Sequence, residues 1–245
     1  MLLSVIVPVL NEENTVGGVI KSLLALPVDL EVIAVDNGST DRTPEILREF
    51  VGMSRFTYVA EGQIRGKGAA IRAGLPLANG VYVVIQDGDT EYDPYDIVRM
   101  LAVARKSDAV AVFGSRILNP VAGISYQRYY WGGRLLTWVA NTLFGVGITD
   151  EATCYKMIKR DALIGMNLQC RKFEFCPEVV AKLGLAGVEI IEVPISYNPR
   201  SMEQGKKIRW TDGIHALWCL LRWSLSDWRP EELLDAPAPP QKQRQ

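Results

Sequence analysis

Five short apolar runs, each followed by a segment of helical periodicity, restrict what this chain can fold into more than any other feature. Leu3 to Val9, Leu30 to Val35, Phe56 to Ala60, Val81 to Gln86 and Ala109 to Gly114 read as buried strands. Between them, Val16 to Leu26 places Val19, Ile20, Leu23 and Leu24 on one helical face. Thr43 is predicted to cap a second helix, with Pro44 at its first position and Glu45 in its first turn. Further helices are predicted from about Lys67 and from Pro94. Strands alternating with helices of this length predict βαβ units and a largely parallel sheet, an α/β fold.

Beyond Ser115 the alternation loosens. Gln127 to Ile148 is aromatic and apolar, with Arg128 and Arg134 set in it. Thr153 to Ile158 and Val188 to Val193 are predicted as further strands, with a helix from Pro177 to Leu183 between them. Residues 198–209 are basic and contain Gly205, the pattern of a mobile loop, and Trp210 to Trp228 reads as a helix. Residues 1–229 are therefore expected to form one domain. Residues 230–245, with Pro237, Pro239 and Pro240, are expected to be a disordered tail.

The bulk properties mainly exclude. A hydrophobic share of 48% over 245 residues suffices for one sizeable core. A formal net charge of −1 gives no sign of nucleic-acid binding. Cys154, Cys170, Cys176 and Cys219 form no CxxC pair, and His215 is the single histidine, which argues against a zinc site. Scattered cysteines suggest a reducing, cytoplasmic setting. Met1 to Pro8 has no basic leader region and reads as a first strand, and no apolar run reaches the ~20 residues of a membrane span.

In an open parallel sheet, ligands bind beyond the carboxyl ends of the strands. Three such ends carry acidic and amide groups here: Asn11-Glu12-Glu13, Asp36-Asn37-Gly38-Ser39 and Asp87-Gly88-Asp89-Thr90-Glu91. Alternate residues leaving a strand point two carboxylates at one ion, so Asp87 and Asp89 are candidate ligands of Mg²⁺ or Mn²⁺, with Glu91 a third. Gly88 between them lets the backbone approach a diphosphate. The plain alternative is a polar turn, since Asp and Gly favour turns anyway. Asp36 is placed to accept hydrogen bonds from a base or ribose. Gly66-Lys67-Gly68 precedes a helix whose amino end favours anions, although the Walker spacing is absent.

The segments SVIVPVLNEENTV, AVDNGSTDRT, RGKGAAIRAG, QDGDTEYDP, FGSR, TDEATCYK, FEFCPEVVAKL and EVPISYNPRSMEQGKKIRWTDG, taken together and in order, resemble the family 2 glycosyltransferases. The likeness is nearest to the dolichyl- or polyprenyl-phosphate mannosyl- and glucosyltransferase branch and runs from about Ser4 to Leu221. It implies the GT-A type of fold, a mostly parallel nucleotide-binding sheet flanked by helices, here with a carboxyl-terminal amphipathic helix. By the same resemblance, Pro8, Asn11 and Glu12 hold the nucleoside and Asp36 the base. Lys67 lies near the donor, and Asp87, Asp89 and Glu91 hold the metal on the diphosphate. Arg116 and Arg200 lie on the acceptor side. The implied reaction is inverting, metal-dependent transfer of a hexose from a UDP- or GDP-linked donor to a polyprenyl phosphate.

A phosphate acceptor is already an anion and needs no strong base, whereas a hydroxyl acceptor needs one. Asp150, Glu151, Glu174 and Glu178 are the candidate bases, with Asp150 ranked first by its place in TDEATCYK. Arg116, Arg128, Arg134 and Arg200 are expected to receive the acceptor phosphate, since a guanidinium fork binds paired oxygens. Ile214, Leu217, Trp218, Leu221, Leu225 and Trp228 repeat at helical spacing, which by itself reads as a helix packed on the domain's own core; together with the family resemblance it implies an in-plane helix on a membrane surface. Residues 198–209 are expected to close over the donor. The competing readings are a glycosyltransferase with a soluble hydroxyl acceptor, a sugar nucleotidyltransferase and a non-catalytic nucleotide-sugar binding module. The nucleotidyltransferase is disfavoured by Pro8-Val9-Leu10-Asn11-Glu12 where a Gly-rich, Arg-bearing loop belongs.

Overall fold

A computed structural model describes residues 2–119, 127–200 and 210–228. Seven strands form one sheet: β1 (Leu3–Val9), β2 (Leu30–Asp36), β3 (Phe56–Ala60), β4 (Tyr82–Ile85), β5 (Ala111–Ser115), β6 (Lys156–Lys159) and β7 (Ile190–Pro194). Their spatial order is β3-β2-β1-β4-β6-β5-β7. The β1–β2, β2–β3, β1–β4 and β5–β7 pairs are parallel. All seven residues of β1 are buried, as expected for a strand covered on both faces.

The helices are α1 (Val16–Leu24), α2 (Thr43–Arg48), α3 (Lys67–Gly74), α4 (Tyr95–Ser107), α5 (Gln127–Phe144), α6 (Arg160–Gly165), α7 (Phe175–Leu185) and α8 (Trp210–Ser224). The buried stripe of α1 is Val16, Val19, Ile20 and Leu23, so Leu24 stands off the face assigned to it. Thr43 is the first residue of α2 rather than its cap. Its hydroxyl accepts the Glu12 N–H at 2.8 Å, an interaction with a residue on another strand end that no local pattern encodes.

The sheet departs from the simple βαβ expectation at β6. This four-residue strand runs antiparallel to both of its neighbours and separates β4 from β5. Being reversed, it begins at the edge where β4 and β5 end: Phe113 stands opposite Lys156, and the Gly114 N–H donates to the Tyr155 carbonyl at 2.8 Å. The chain therefore leaves and re-enters the sheet on the same side, and the turn 149–154 arrives where ligands bind in this architecture.

Helices α5, α7 and α8 pack on one another. Inside this group Lys182 and Glu178, one helical turn apart on α7, form a fully buried ion pair at 2.8 Å. The Lys182 ammonium also donates to the Met166 carbonyl at 2.6 Å and lies 4.1 Å from the centre of the Trp223 ring. Glu178 accepts the Gln169 and Cys170 N–H groups at 2.8 and 2.7 Å. Every charge in this buried group thus has partners, the condition for tolerating it in a core.

Candidate active site

The ends of β1 and β2 are laced together before any ligand arrives. Val9 pairs with Asp36 in register. Asn11 sits in the left-handed region (φ 49°), and its Oδ1 accepts the Thr40 N–H at 2.8 Å. Asp36 accepts the Ser39 N–H at 2.9 Å through one oxygen and the Tyr58 hydroxyl at 3.3 Å through the other. Asn37, an amide of that strand end to which the sequence assigned no role of its own, accepts the Arg65 and Gly66 N–H groups at 2.8 and 3.1 Å and ties the β2 end to the loop before α3. Pro8 is buried within β1 opposite Val35.

The amino end of α3 is not an open anion cradle. The Gly68 and Ala69 N–H groups donate to the Lys172 and Arg171 carbonyls at 2.8 and 2.9 Å. The glycines are needed because the 170–172 segment runs so close: a Cβ on Gly66 would lie 2.5 Å from the Arg171 oxygen, and Gly66 has φ +100°. Gly66→Ala is expected to lower stability by about 1–3 kcal/mol through its backbone alone. Urea unfolding would measure this, and an unchanged midpoint would contradict the crowding.

Lys67 turns from that helix end onto Asp87 in an ion pair and also donates to Cys154 Sγ at 3.1 Å. Burial lowers the Lys67 ammonium, but the adjacent Asp87 charge outweighs it and holds the group well above its usual range. Asp89 takes a different cation. Arg200 Nη2 reaches Asp89 at 2.6 Å, and its two terminal nitrogens clasp Glu12 at 3.0 and 3.2 Å. The side chains of Asp89 and Arg200 are each 13% exposed. Burial, and next the charge of Asp87, push the Asp89 carboxyl up to about 6 against the pull of Arg200. Two neighbouring carboxylates at a strand end, one of them reluctant to ionise, are what a divalent cation relieves. Asp87 and Asp89 therefore fit the metal role. Glu91 is turned elsewhere: it accepts the Tyr197 hydroxyl at 3.0 Å and the Arg200 N–H at 2.8 Å. Among the described residues no three His, Cys, Asp or Glu side chains gather as a ready metal-binding group.

A second charged assembly lies beside the first. Arg116 grips Asp150 with a two-pronged pair, Nε and Nη2 each 2.7 Å from a carboxylate oxygen, and its backbone N–H adds a bond at 3.1 Å. Burial works to raise Asp150, and the Arg116 guanidinium overrides it and holds the carboxyl below its usual range. Arg134 Nη1 donates to the Thr149 carbonyl at 3.1 Å, which brings a second arginine to the same turn. Glu192 holds the turn from behind by accepting the Thr149 and Asp150 N–H groups at 2.7 and 3.2 Å. Tyr197 joins the two assemblies: its hydroxyl is on Glu91, and its ring lies 4.9 Å from the Arg116 guanidinium carbon. Glu192 and Tyr197 lie within the EVPISYNPRS segment, but their contacts arise only when β7 pairs with β5.

Several expected residues are brought together and others are not. Arg200 lies on Glu12 and Asp89 at the strand ends rather than with Arg116. Glu178 is committed to Lys182, and Glu174 accepts the Lys172 N–H at 2.7 Å. The Arg128 side chain and residues 201–209, where most of the expected donor-covering loop falls, are outside the described residues, as is the tail from residue 229.

Glu151, next to Asp150, is 1% exposed, and its Oε1 has no partner. Burial pushes its carboxyl up to about 7 against the pull of Lys156. The folded protein thus keeps this proton above the usual value of 4.5, so the stability it contributes is lost as pH rises from about 4.5 through about 7. Glu151→Gln is expected to remove that loss, a gain on the order of 3 kcal/mol over the parent at pH 8. Urea unfolding of both proteins across the window tests this, and parallel pH curves would contradict it.

The family described as Glycosyl transferase family 2 matches residues 4–165. The low-salt glycan biosynthesis hexosyltransferase Agl6 of Haloferax volcanii is 32% identical over 206 residues, 82% of this chain and 49% of its own length. Dodecaprenyl-phosphate galacturonate synthase of Rhizobium johnstonii is 28% identical over 208 residues, 81% of this chain and 59% of its own. The chain thus spans about half the length of these two relatives. Glucosyl-3-phosphoglycerate synthase of Mycobacterium tuberculosis, solved with Mn²⁺, uridine diphosphate and phosphoglyceric acid, superposes with a TM-score of 0.67 at 19% identity. That superposition covers 91% of this chain and 78% of that one and shows a shared fold.

Proposed function

From the premise that this chain belongs to glycosyl transferase family 2, we propose that it moves a hexose from a UDP- or GDP-linked donor to a polyprenyl phosphate with the help of Mg²⁺ or Mn²⁺. The observation that carries this reading is Tyr197, which touches Glu91 of the acidic donor side and Arg116 of the basic turn at once. A donor diphosphate and an anionic acceptor have to meet across such a short span, and each then needs its own counter-charge. Asp87 and Asp89 would hold the metal, which supplies Lewis-acid stabilisation of the leaving diphosphate. Asp36 and Asn11 orient the nucleoside. Arg116 and Arg134 orient the acceptor phosphate, with Asp150 fixing the Arg116 fork.

The state of the candidate bases favours a phosphate acceptor. Asp150 has both oxygens on Arg116, Glu178 is bound to Lys182, and Glu151 is sealed in the core. An acceptor that is already anionic requires no proton transfer to any of them. Known relatives agree in part, since the Rhizobium enzyme is named for a dodecaprenyl phosphate.

A greasy acceptor also calls for a membrane surface. All six tryptophans lie in α5, α8 and the turn after it. Trp131, Trp138, Trp210 and Trp218 are exposed, together with Leu135, Ile214, Leu221 and Leu225. Tryptophan favours the bilayer interface, and no helix of the described residues is long and apolar enough to cross a membrane. The exposed tryptophans and leucines support peripheral attachment to a membrane surface, and the proposal takes that surface to be the cytoplasmic face. The inward turn of Trp228, whose ring lies 5.5 Å from the Lys182 ammonium, takes one residue away from the expected outer stripe.

The test is to supply UDP- and GDP-hexoses with a polyprenyl phosphate and, separately, with the matching polyprenol and with simple sugars. Transfer to the phosphate alone is expected. Transfer to hydroxyl compounds with none to the phosphate would establish a hydroxyl acceptor instead, and release of no nucleotide from any donor would leave only a binding module.

A further inference from the structure

We propose that the cavity between residues 169–174 and α8 seats the head group of an anionic phospholipid, a site separate from the acceptor turn; the inference rests on the membrane-surface reading above. The cavity measures about 290 Å³ and is lined by Gln169, Arg171, Glu174, His215, Trp218 and Arg222, among others. Its charges select an anion. Arg171 and Arg222 are exposed, and among the described residues neither is ion-paired with a carboxylate. Arg222 makes one weak bond to Gln169 Oε1 at 3.2 Å and keeps its other donors. Of the acids in the wall, Glu178 is already neutralised by Lys182 and saturated by two backbone N–H groups. Two guanidiniums therefore face the single carboxylate of Glu174.

Position selects a lipid over a free anion. Trp218 forms part of the cavity wall and is also 60% exposed on the outer face of α8, in line with Ile214 and Leu221. Side chains that enter the apolar layer thus stand next to guanidiniums at the depth of the head groups. That is the arrangement by which a surface helix engages anionic lipid. A guanidinium fork pairs with two phosphate oxygens at once, which a diffuse basic patch does not require.

The experiment is vesicle flotation of the full chain with phosphatidylcholine alone and with phosphatidylcholine mixed with phosphatidylglycerol. The parent is expected to bind both and to favour the mixed vesicles more than tenfold. Arg171→Gln combined with Arg222→Gln should keep the binding to phosphatidylcholine, which the tryptophans supply. It should lose about fivefold per arginine from the mixed vesicles, the worth of one basic side chain at an anionic surface. Arg105→Gln with Lys106→Gln on α4 removes the same formal charge and should leave the preference intact, and thermal unfolding of each variant controls for folding. Equal losses in the two double variants would overturn the seat in favour of general attraction. Displacement by millimolar inorganic phosphate would reassign it to a free anion. Equal binding to both vesicle types would overturn the seat alone, and no binding to either would overturn the membrane reading itself.

Discussion

Asp89→Asn is expected to lower hexose transfer by at least about 10²-fold, the usual loss when one preorganised charge at a reacting group is removed. The fold should hardly register the change. Asp89 sits beside Asp87 and is pushed up to about 6 by burial and that neighbour, so the neutral amide relieves a repulsion. Arg200 keeps its clasp on Glu12. A thermal unfolding midpoint within a few degrees of the parent, together with the lost turnover, would separate a role in chemistry from one in folding. Removing divalent ions with excess EDTA should reproduce the loss in the parent, and Mg²⁺ or Mn²⁺ should restore it. Full turnover in EDTA would refute metal dependence, and an Asp89→Asn protein as active as the parent would remove Asp89 from the site.

Arg116→Ala should be costly in two ways that can be pulled apart. It strands Asp150, 4% exposed, without its counter-ion, and breaking a buried pair from one side costs about 3–5 kcal/mol. It also removes the cation proposed to orient the acceptor phosphate. Arg116→Ala with Asp150→Ala leaves no buried charge behind, so it should recover most of the stability. It should not recover transfer to polyprenyl phosphate. Urea unfolding and acceptor KM, measured on the single and double variants, decide the matter. If transfer returned along with stability, Arg116 would be a structural residue and no more. Arg116→Lys sharpens the point, because a lysine keeps the charge but cannot reproduce the two parallel bonds to Asp150.

Much of the acidic strand-end cluster was readable from the chain because its signals are local. An apolar run ending in Asp87-Gly88-Asp89 is both a strand and a strand end, and β1 and β3 occupy the bounds expected of them. What escaped depends on contacts between distant segments. β6 is four residues long and is defined by two antiparallel partners, so nothing within Lys156–Lys159 announces its place between β4 and β5. The hydroxyl of Thr43 resembles a helix cap in sequence, yet a backbone N–H 31 residues away claims it. Gly66 and Gly68 resemble a phosphate loop, but the crowding they relieve comes from a segment about a hundred positions later. The Glu178–Lys182 pair was within reach, since its four-residue spacing on a predicted helix is the standard sign of such contacts. Its burial, and the capture of Trp228 that follows, were not.

The reversed strand β6 also divides the molecule in a way that bears on how such enzymes diversify. The excursion from Arg116 to Tyr155 contains the grip on Asp150, Arg134 of α5 and two of the outward tryptophans. It departs and returns at points held side by side by the Gly114–Tyr155 hydrogen bond. The strands that carry Asp36 and lead into Asp87 and Asp89 lie outside this excursion. On the proposed roles, the chain has the layout of a fixed handle with a replaceable bit: nucleotide choice would reside in the frame of β1 to β4, and recipient choice largely in a cassette with both hinges at a single spot.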